Sequence, residues 1–257
     1  MEDTEKRMQL KPYPLGWKAK LGFLVPSHDT GYGSYEFRVM CPEGVVPLET
    51  RVMVKKVARE ELQKASRDAA TGAEMLATAN VDVIDYIATA TCFVLGVKGE
   101  KALVEEIEAK TGIQATAGGQ SVCEALRFLG AKKILTYTPY NEEVEEISRQ
   151  YFKESGFEIV GSRNLRFEDP ASINRVSPYE ILADVMKLHK QNPGAEGVFI
   201  VGGCFRTLDI VDTLEKHIGI PVVGTQQANM WNCLRLCEVP DLLHGFGKLF
   251  EKPRVVK

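Results

Sequence analysis

Six cysteines stand at positions 41, 92, 123, 204, 233 and 237 of this 257-residue chain. No two of them form a Cys-x-x-Cys pair, so their spacing offers no zinc site. Cys233 and Cys237 are one helical turn apart, which suits a packed helix face rather than a disulfide. Cys204 is distinguished by the Gly202-Gly203 pair before it. Paired glycines let a backbone approach a ligand closely. A thiol with an ordinary pKa of about 8.5 is mostly protonated at neutral pH and serves as a general acid. Tyr140 and Thr89 add hydroxyl donors, and Asp29 adds a carboxylate next to His28. Such a set would bind a small anion and deliver a proton to it.

These residues sit where elements change. Leu21–Val25, Val81–Ala88, Ile134–Tyr137, Val198–Val201 and Pro221–Gly224 read as short buried strands. Helical patterns lie between them, over Glu60–Ala79, Glu100–Thr111, Ser121–Leu129, Glu142–Glu154, Pro178–Gln191 and Leu208–His217. Gly112, Gly130, Gly156 and Gly219 follow helices, where a left-handed cap favours glycine. Strands separated by helices predict an α/β fold with parallel sheets and a ligand crevice beyond the carboxyl ends of the strands. One rhythm recurs. A strand end near Ala88 lies 62 positions after Pro26, and a strand end near Gly202 lies 63 positions after Pro139. Two related α/β units facing each other would bring four strand-end loops to one cleft.

Composition excludes several classes. Charged residues make up 26% of the chain and the formal net charge is -3, which gives no footprint for nucleic acid or an acidic membrane surface. No apolar run approaches the roughly 20 residues of a membrane span. Met1–Arg7 is charged and leads into no apolar core of a signal peptide, so a cytoplasmic location is expected. Gly31-Tyr32-Gly33 lacks the third glycine of a dinucleotide fingerprint, and Gly118-Gly119 is expected to shape a turn.

The strand-end segments resemble a known group. Val25-Pro26-Ser27-His28-Asp29-Thr30 is similar to the Val-Pro-Ser-Ser-Asn-Thr loop of maleate isomerases. Gly130-Ala131-Lys132-Lys133 with Thr138-Pro139-Tyr140, Arg175-Val176-Ser177-Pro178, and Leu208-Asp209 through Gly219-Ile220-Pro221-Val222-Val223 follow in that group's order. From about Leu21 to about Leu236 the chain resembles the aspartate/glutamate racemase superfamily, in its maleate-isomerase and arylmalonate-decarboxylase branch. The resemblance implies two pseudosymmetric Rossmann-like domains, each with a central parallel sheet, and an active site between them. Residues 1–115 with a returning segment 226–257 would form one domain and 116–225 the other. It also implies no metal or organic cofactor, a small carboxylate substrate and a homo-oligomer. In this group the racemases and isomerases use one cysteine from each domain, and the decarboxylases keep only the second, as proton donor.

Both cysteine positions are altered here. The first falls at Ala88, followed by Thr89-Ala90, with Cys92 four residues on. Ungapped counting from Leu208-Asp209 places the second at Gly202, so Cys204 stands two residues late. The isomerase asparagine of the first loop falls at Asp29, and the later one near Pro170, with Asn174 close by. A carboxylate at Asp29 would repel a substrate carboxylate, so the substrate is expected to offer an amide, hydroxyl or cation there. Ser27 or Asp29 could equally cap the following segment. His28 is expected as an exposed loop residue.

The expected site is therefore Cys204 and Tyr140 as catalytic groups, with Pro26, Ser27, Asp29, Ala88, Thr89, Gly202 and Gly203 around the substrate. A carbanion beside a carboxylate must be spread into an enediolate whose oxygens meet preorganised donors, each often worth about 3 kcal/mol. With a thiol on one wall and alanine on the other, protonation is one-sided, which points to decarboxylation. A cis–trans isomerase or racemase with rearranged cysteines, and a carboxylate-binding protein without chemistry, stay open.

Overall fold

The computed structural model describes residues 13–29, 31–55, 58–167 and 170–253. Met1–Arg7, Thr30 and Asp169 lie outside the described residues, as does the side chain of Pro170.

In chain order the first half runs β1 (Ala19–Pro26), α1 (Tyr32–Met40), β2 (Val45–Val52), α2 (Arg59–Ala77), β3 (Val83–Tyr86), α3 (Thr89–Thr111), β4 (Ala115–Ala117) and α4 (Gly118–Phe128). The second half runs β5 (Lys133–Thr138), α5 (Glu142–Glu154), β6 (Glu158–Asn164), α6 (Pro170–Ile173), α7 (Pro178–Gln191), β7 (Gly197–Ile200), α8 (Val211–Ile218) and β8 (Val222–Gly224). Two helices follow, α9 (Thr225–Leu236) and α10 (Lys248–Glu251). The strands form two four-stranded sheets, ordered β2-β1-β3-β4 and β6-β5-β7-β8. Every pairing is parallel. The repeated rhythm is thus a repeated topology.

In each sheet the chain reverses direction of winding between its two central strands, β1 and β3 in one and β5 and β7 in the other. Loops leaving the carboxyl ends of such a pair splay apart and open a crevice. The central strands are legible as apolar runs because helices cover both their faces. β2, β4 and β6 are not expected from apolar runs. β2 and β6 are edge strands of mixed, half-buried residues, and β4 is only three residues long.

The halves share packing. Phe93 of α3 lies 5.1 Å from the Tyr151 ring and 5.4 Å from Phe152, both on α5. Such aromatic pairs contribute about 0.5–1.5 kcal/mol each beyond buried area. Gly118 and Gly119 open α4 rather than shape a turn, and close packing explains both. A Cβ at Gly119 would lie 2.5 Å from the Tyr151 hydroxyl oxygen, and one at Gly118 would lie 3.1 Å from Thr89 Oγ1. The sequence reading also misses α1 and α9. α9 is buried on all sides through its first ten residues, so it shows no amphipathic period. It returns to the first half, where Asn232 Nδ2 donates to Thr116 Oγ1 at 2.9 Å and Ser121 Oγ at 3.1 Å. Among the described residues no helix is long and apolar enough to cross a membrane.

Candidate active site

The four loops leaving β1, β3, β5 and β7 meet around one cavity. Pro26 and Asp29 come from the first loop, Ala88 and Thr89 from the second, Tyr140 from the third. Gly202, Gly203 and Cys204 come from the fourth. The free space enclosed is about 50 Å³, the scale of a few water molecules. Val54, Leu62, Ile87 and Ile173 give the cavity an apolar flank. Among the described residues, no lysine or arginine lines it.

Ser27 is absent from the lining. Its hydroxyl accepts from Val54 N at 2.9 Å and donates to Val54 O at 3.2 Å, fastening the first loop to the segment after β2. His28, expected to be exposed, is partly buried and lines the cavity. Its Nδ1 lies 3.4 Å from Val54 O. Burial lowers the imidazole pKa, partly offset by that carbonyl, so His28 is neutral at physiological pH. Asp29 combines both expected roles. Its Oδ1 accepts from Gly31 N at 2.7 Å, as a turn cap does, while the residue lies in the cavity wall. Arg51 Nη1 donates to the carbonyls of Ser27 (3.0 Å) and Asp29 (2.8 Å) and leaves the carboxylate unpaired with it.

The fourth loop leaves no room for a side chain at Gly202. Gly202 has φ 112°, a conformation L side chains rarely adopt, and a Cβ there would also lie 3.2 Å from Pro139 Cγ. A cysteine at that position would strain the backbone. The loop instead presents Cys204, which is 6% exposed and faces the same cavity as Ala88. Burial, and then the Asp29 charge, pushes the Cys204 thiol up to about 12, with Arg51 offsetting part of this. It holds its proton at neutral pH. The N–H groups of Gly203 and Cys204 have no acceptor among the described residues. Gly202 N donates to Thr225 Oγ1 at 3.0 Å and Gln226 Nε2 donates to Gly203 O at 3.3 Å, so the start of α9 fixes the loop.

Tyr140 is buried, and its hydroxyl pKa is raised by burial and then by Cys204. It remains a neutral donor throughout the working range. Thr89 opens α3 and its Oγ1 lies 3.4 Å from Ile87 O. Cys92 is fully buried and does not line the cavity. Burial raises its thiol pKa well above the ordinary value, and the nearby Glu100 raises it further.

Sequence reasoning missed Gln226 and Glu36. Gln226 opens a helix without amphipathic signal. Gln226 Nε2 and Asp29 Oδ2 would lie 2.5 and 2.6 Å from a Cβ at Gly33, so glycine there lets the two side chains approach. Glu36 lies on α1, and its Oε1 accepts from Thr207 N and Leu208 N, each at 3.0 Å, across the two halves.

A family model described as arylmalonate decarboxylase matches residues 21–250. The arylmalonate decarboxylase of Bordetella bronchiseptica is 25% identical over 171 residues, covering 66% of this chain and 71% of that protein. The maleate isomerase of Pseudomonas putida is 26% identical over 246 residues, covering 90% of this chain and 96% of that one. Among solved structures, a double mutant of arylmalonate decarboxylase in the liganded form superposes with a TM-score of 0.84 at 21% identity. That match covers 91% of this chain and 99% of the other.

Proposed function

From the premise that this chain belongs to the arylmalonate decarboxylase family, matched over residues 21–250, we propose a cofactor-independent decarboxylase of a small malonate-type acid. One observation carries the reading. A single thiol, Cys204, lines the cavity, and the facing strand-end position holds Ala88.

One substrate carboxylate lies at the free N–H groups of Gly203 and Cys204 with the Tyr140 hydroxyl as a further donor. The other lies along the apolar flank of Val54, Leu62 and Ile173, where poor solvation favours its loss as neutral carbon dioxide. The electron pair of the broken C–C bond enters the retained carboxylate as an enediolate, held by those donors. Cys204 then passes its proton to carbon from one side, and the resulting thiolate takes a proton from solvent. A thiol raised to about 12 suits this step, because it keeps its proton until a strongly basic carbon appears. Asp29 places a carboxyl in a cavity with no lysine or arginine among its described lining residues, so the substrate presents an N–H, O–H or cationic group toward it. The enclosed space favours short side chains over bulky ones. A cytoplasmic homo-oligomer completes the reading, with the chain divided between α4 and β5 rather than at residue 115, because β4 pairs in the first sheet, and closed by 226–257.

Incubation with a panel of substituted malonates should release carbon dioxide, and Cys204→Ala should abolish it. Full release by that variant removes Cys204 from the mechanism. Ligand-induced thermal stabilisation without turnover across the panel would instead mark a binding protein. Cis–trans isomerisation needs a nucleophile facing the proton donor. Ala88 supplies none, and Cys92 is buried away from the cavity.

A further inference from the structure

Glu36 is 2% exposed, and no cation pairs with it among the described residues. Oε1 accepts both cross-half hydrogen bonds, while Oε2 is buried without a partner. Burying a carboxyl so poorly compensated is costly. An apolar residue would fill the same place without that cost. What it would not do is accept the two amides, Thr207 N and Leu208 N. These lie just before α8, whose N-cap Ile210 contributes no side-chain bond. A buried backbone N–H left without an acceptor is costly. Thr207 N also donates to Phe205 O of its own loop at 3.0 Å, so it is for Leu208 N that Glu36 supplies, from the other sheet's half, the acceptor the loop lacks.

The position of these amides gives the arrangement its meaning. Thr207 is three residues beyond Cys204. The near side of the same loop is tied at Gly202 and Gly203 by Thr225 and Gln226. Those ties come from the second half's own continuation into α9. Glu36 ties the far side to α1, which is anchored on the first sheet through the Phe23–Phe37 stack, 3.9 Å between ring centroids. We infer that Glu36 is a positioning residue that holds the far side of the Cys204 loop against the first half and so sets where the thiol stands in the cavity. A glutamine would keep the acceptor and the reach. Leucine would keep the volume and lose the acceptor.

The test uses the full chain and reads the loop without relying on turnover. Hydrogen exchange on the wild type should show the Leu208 amide, whose acceptor is Glu36, strongly protected. Iodoacetamide labelling, mapped by mass spectrometry, should find Cys204 about tenfold or more faster in Glu36→Leu, as expected when a local opening becomes easier. Labelling of Cys123 and Cys237 should stay unchanged, which separates a loosened loop from general unfolding. Glu36→Gln should return Cys204 labelling to near the wild-type rate. An unprotected Leu208 amide in the wild type would overturn the inference, and that measurement stands even if Glu36→Leu does not fold. So would unchanged Cys204 labelling in a folded Glu36→Leu, or Glu36→Gln behaving like Glu36→Leu. Only a catalytic arm rests on the proposed decarboxylase: kcat should fall in Glu36→Leu and recover in Glu36→Gln. If the wild type turns over no malonate, that reading fails while exchange and labelling still decide the role of Glu36.

Discussion

The two halves of this molecule repeat one topology and carry different chemistry. In the first, the loops after β1 and β3 bring Asp29, Ala88 and Thr89 to the cavity; in the second, the loops after β5 and β7 bring Tyr140, Gly202, Gly203 and Cys204. Strand order is a matter of backbone pairing and apolar burial, which both halves satisfy alike. Reactivity depends on single side chains at loop tips, which the fold leaves free to diverge. In the proposed reaction one wall delivers a proton and the other polices what enters.

The largest break in that asymmetry is Cys204→Ala, which removes the proposed proton donor. Carbon dioxide release should fall by about 10²–10⁴-fold, the usual span for a lost general acid, measured as kcat on the preferred malonate. Pairing Cys204→Ala with Ala88→Cys should move protonation to the opposite wall. The chiral product of a disubstituted malonate should then change hand, read by chiral chromatography, with activity partly regained. Unchanged handedness would mean that the Ala88 and Cys204 positions do not flank the carbon.

Tyr140→Phe removes one hydroxyl donor from the second wall and should lower kcat by up to about 10²-fold, the lower range for an oxyanion donor. Asp29→Asn tests the first wall. It should raise affinity for plain dicarboxylates relative to amino- or hydroxy-substituted ones by about tenfold, the scale of one charge-assisted contact, measured by calorimetry. An unchanged ratio would remove Asp29 from recognition.

The smallest effect concerns stability. Asp85, fully buried in β3, has its carboxyl pKa raised to about 8 from an ordinary 3.8 by burial, with a Cys233 Sγ contact at 3.7 Å pulling it down in part. The folded form thus holds a proton that the unfolded chain releases. Its contribution is full below pH 3.8 and is lost as pH rises toward 8. Glu36, also raised to about 8 by burial, adds a slope of the same sign. Asp85→Asn should flatten the decline in unfolding free energy between pH 5 and 8, followed by urea titration at each pH. An unaltered slope would mean that Asp85 is ionised in the folded protein.

Legibility in the sequence followed burial. β1, β3, β5, β7 and β8 announce themselves because nearly all their residues are buried and each contains a short apolar run. β2 reads Val-Val-Pro-Leu-Glu-Thr-Arg-Val, an edge strand whose proline and charges suit its exposed side and hide the period. The loop residues of the site could be found because they follow legible strands. Leu62, Gln226 and Glu36 could not, since each lies inside a helix whose relation to the cavity is fixed only by tertiary packing. The glycine at position 202 was read as freedom to approach a ligand. Its positive φ shows a further cause, a turn that disfavours any side chain there.

Helix α9 touches the cysteine loop with its first residues and the first sheet with its later ones. A chain cut after β8 would therefore lose more than a tail. Asp85 and Thr116 would meet water where they now meet Cys233 and Asn232, and the glycine loop would lose its two tethers. The halves look separable on a topology diagram, yet neither would survive alone as a faithful copy of itself. Truncation or permutation near the end of the chain should accordingly be felt first as lost catalysis, ahead of any lost strand.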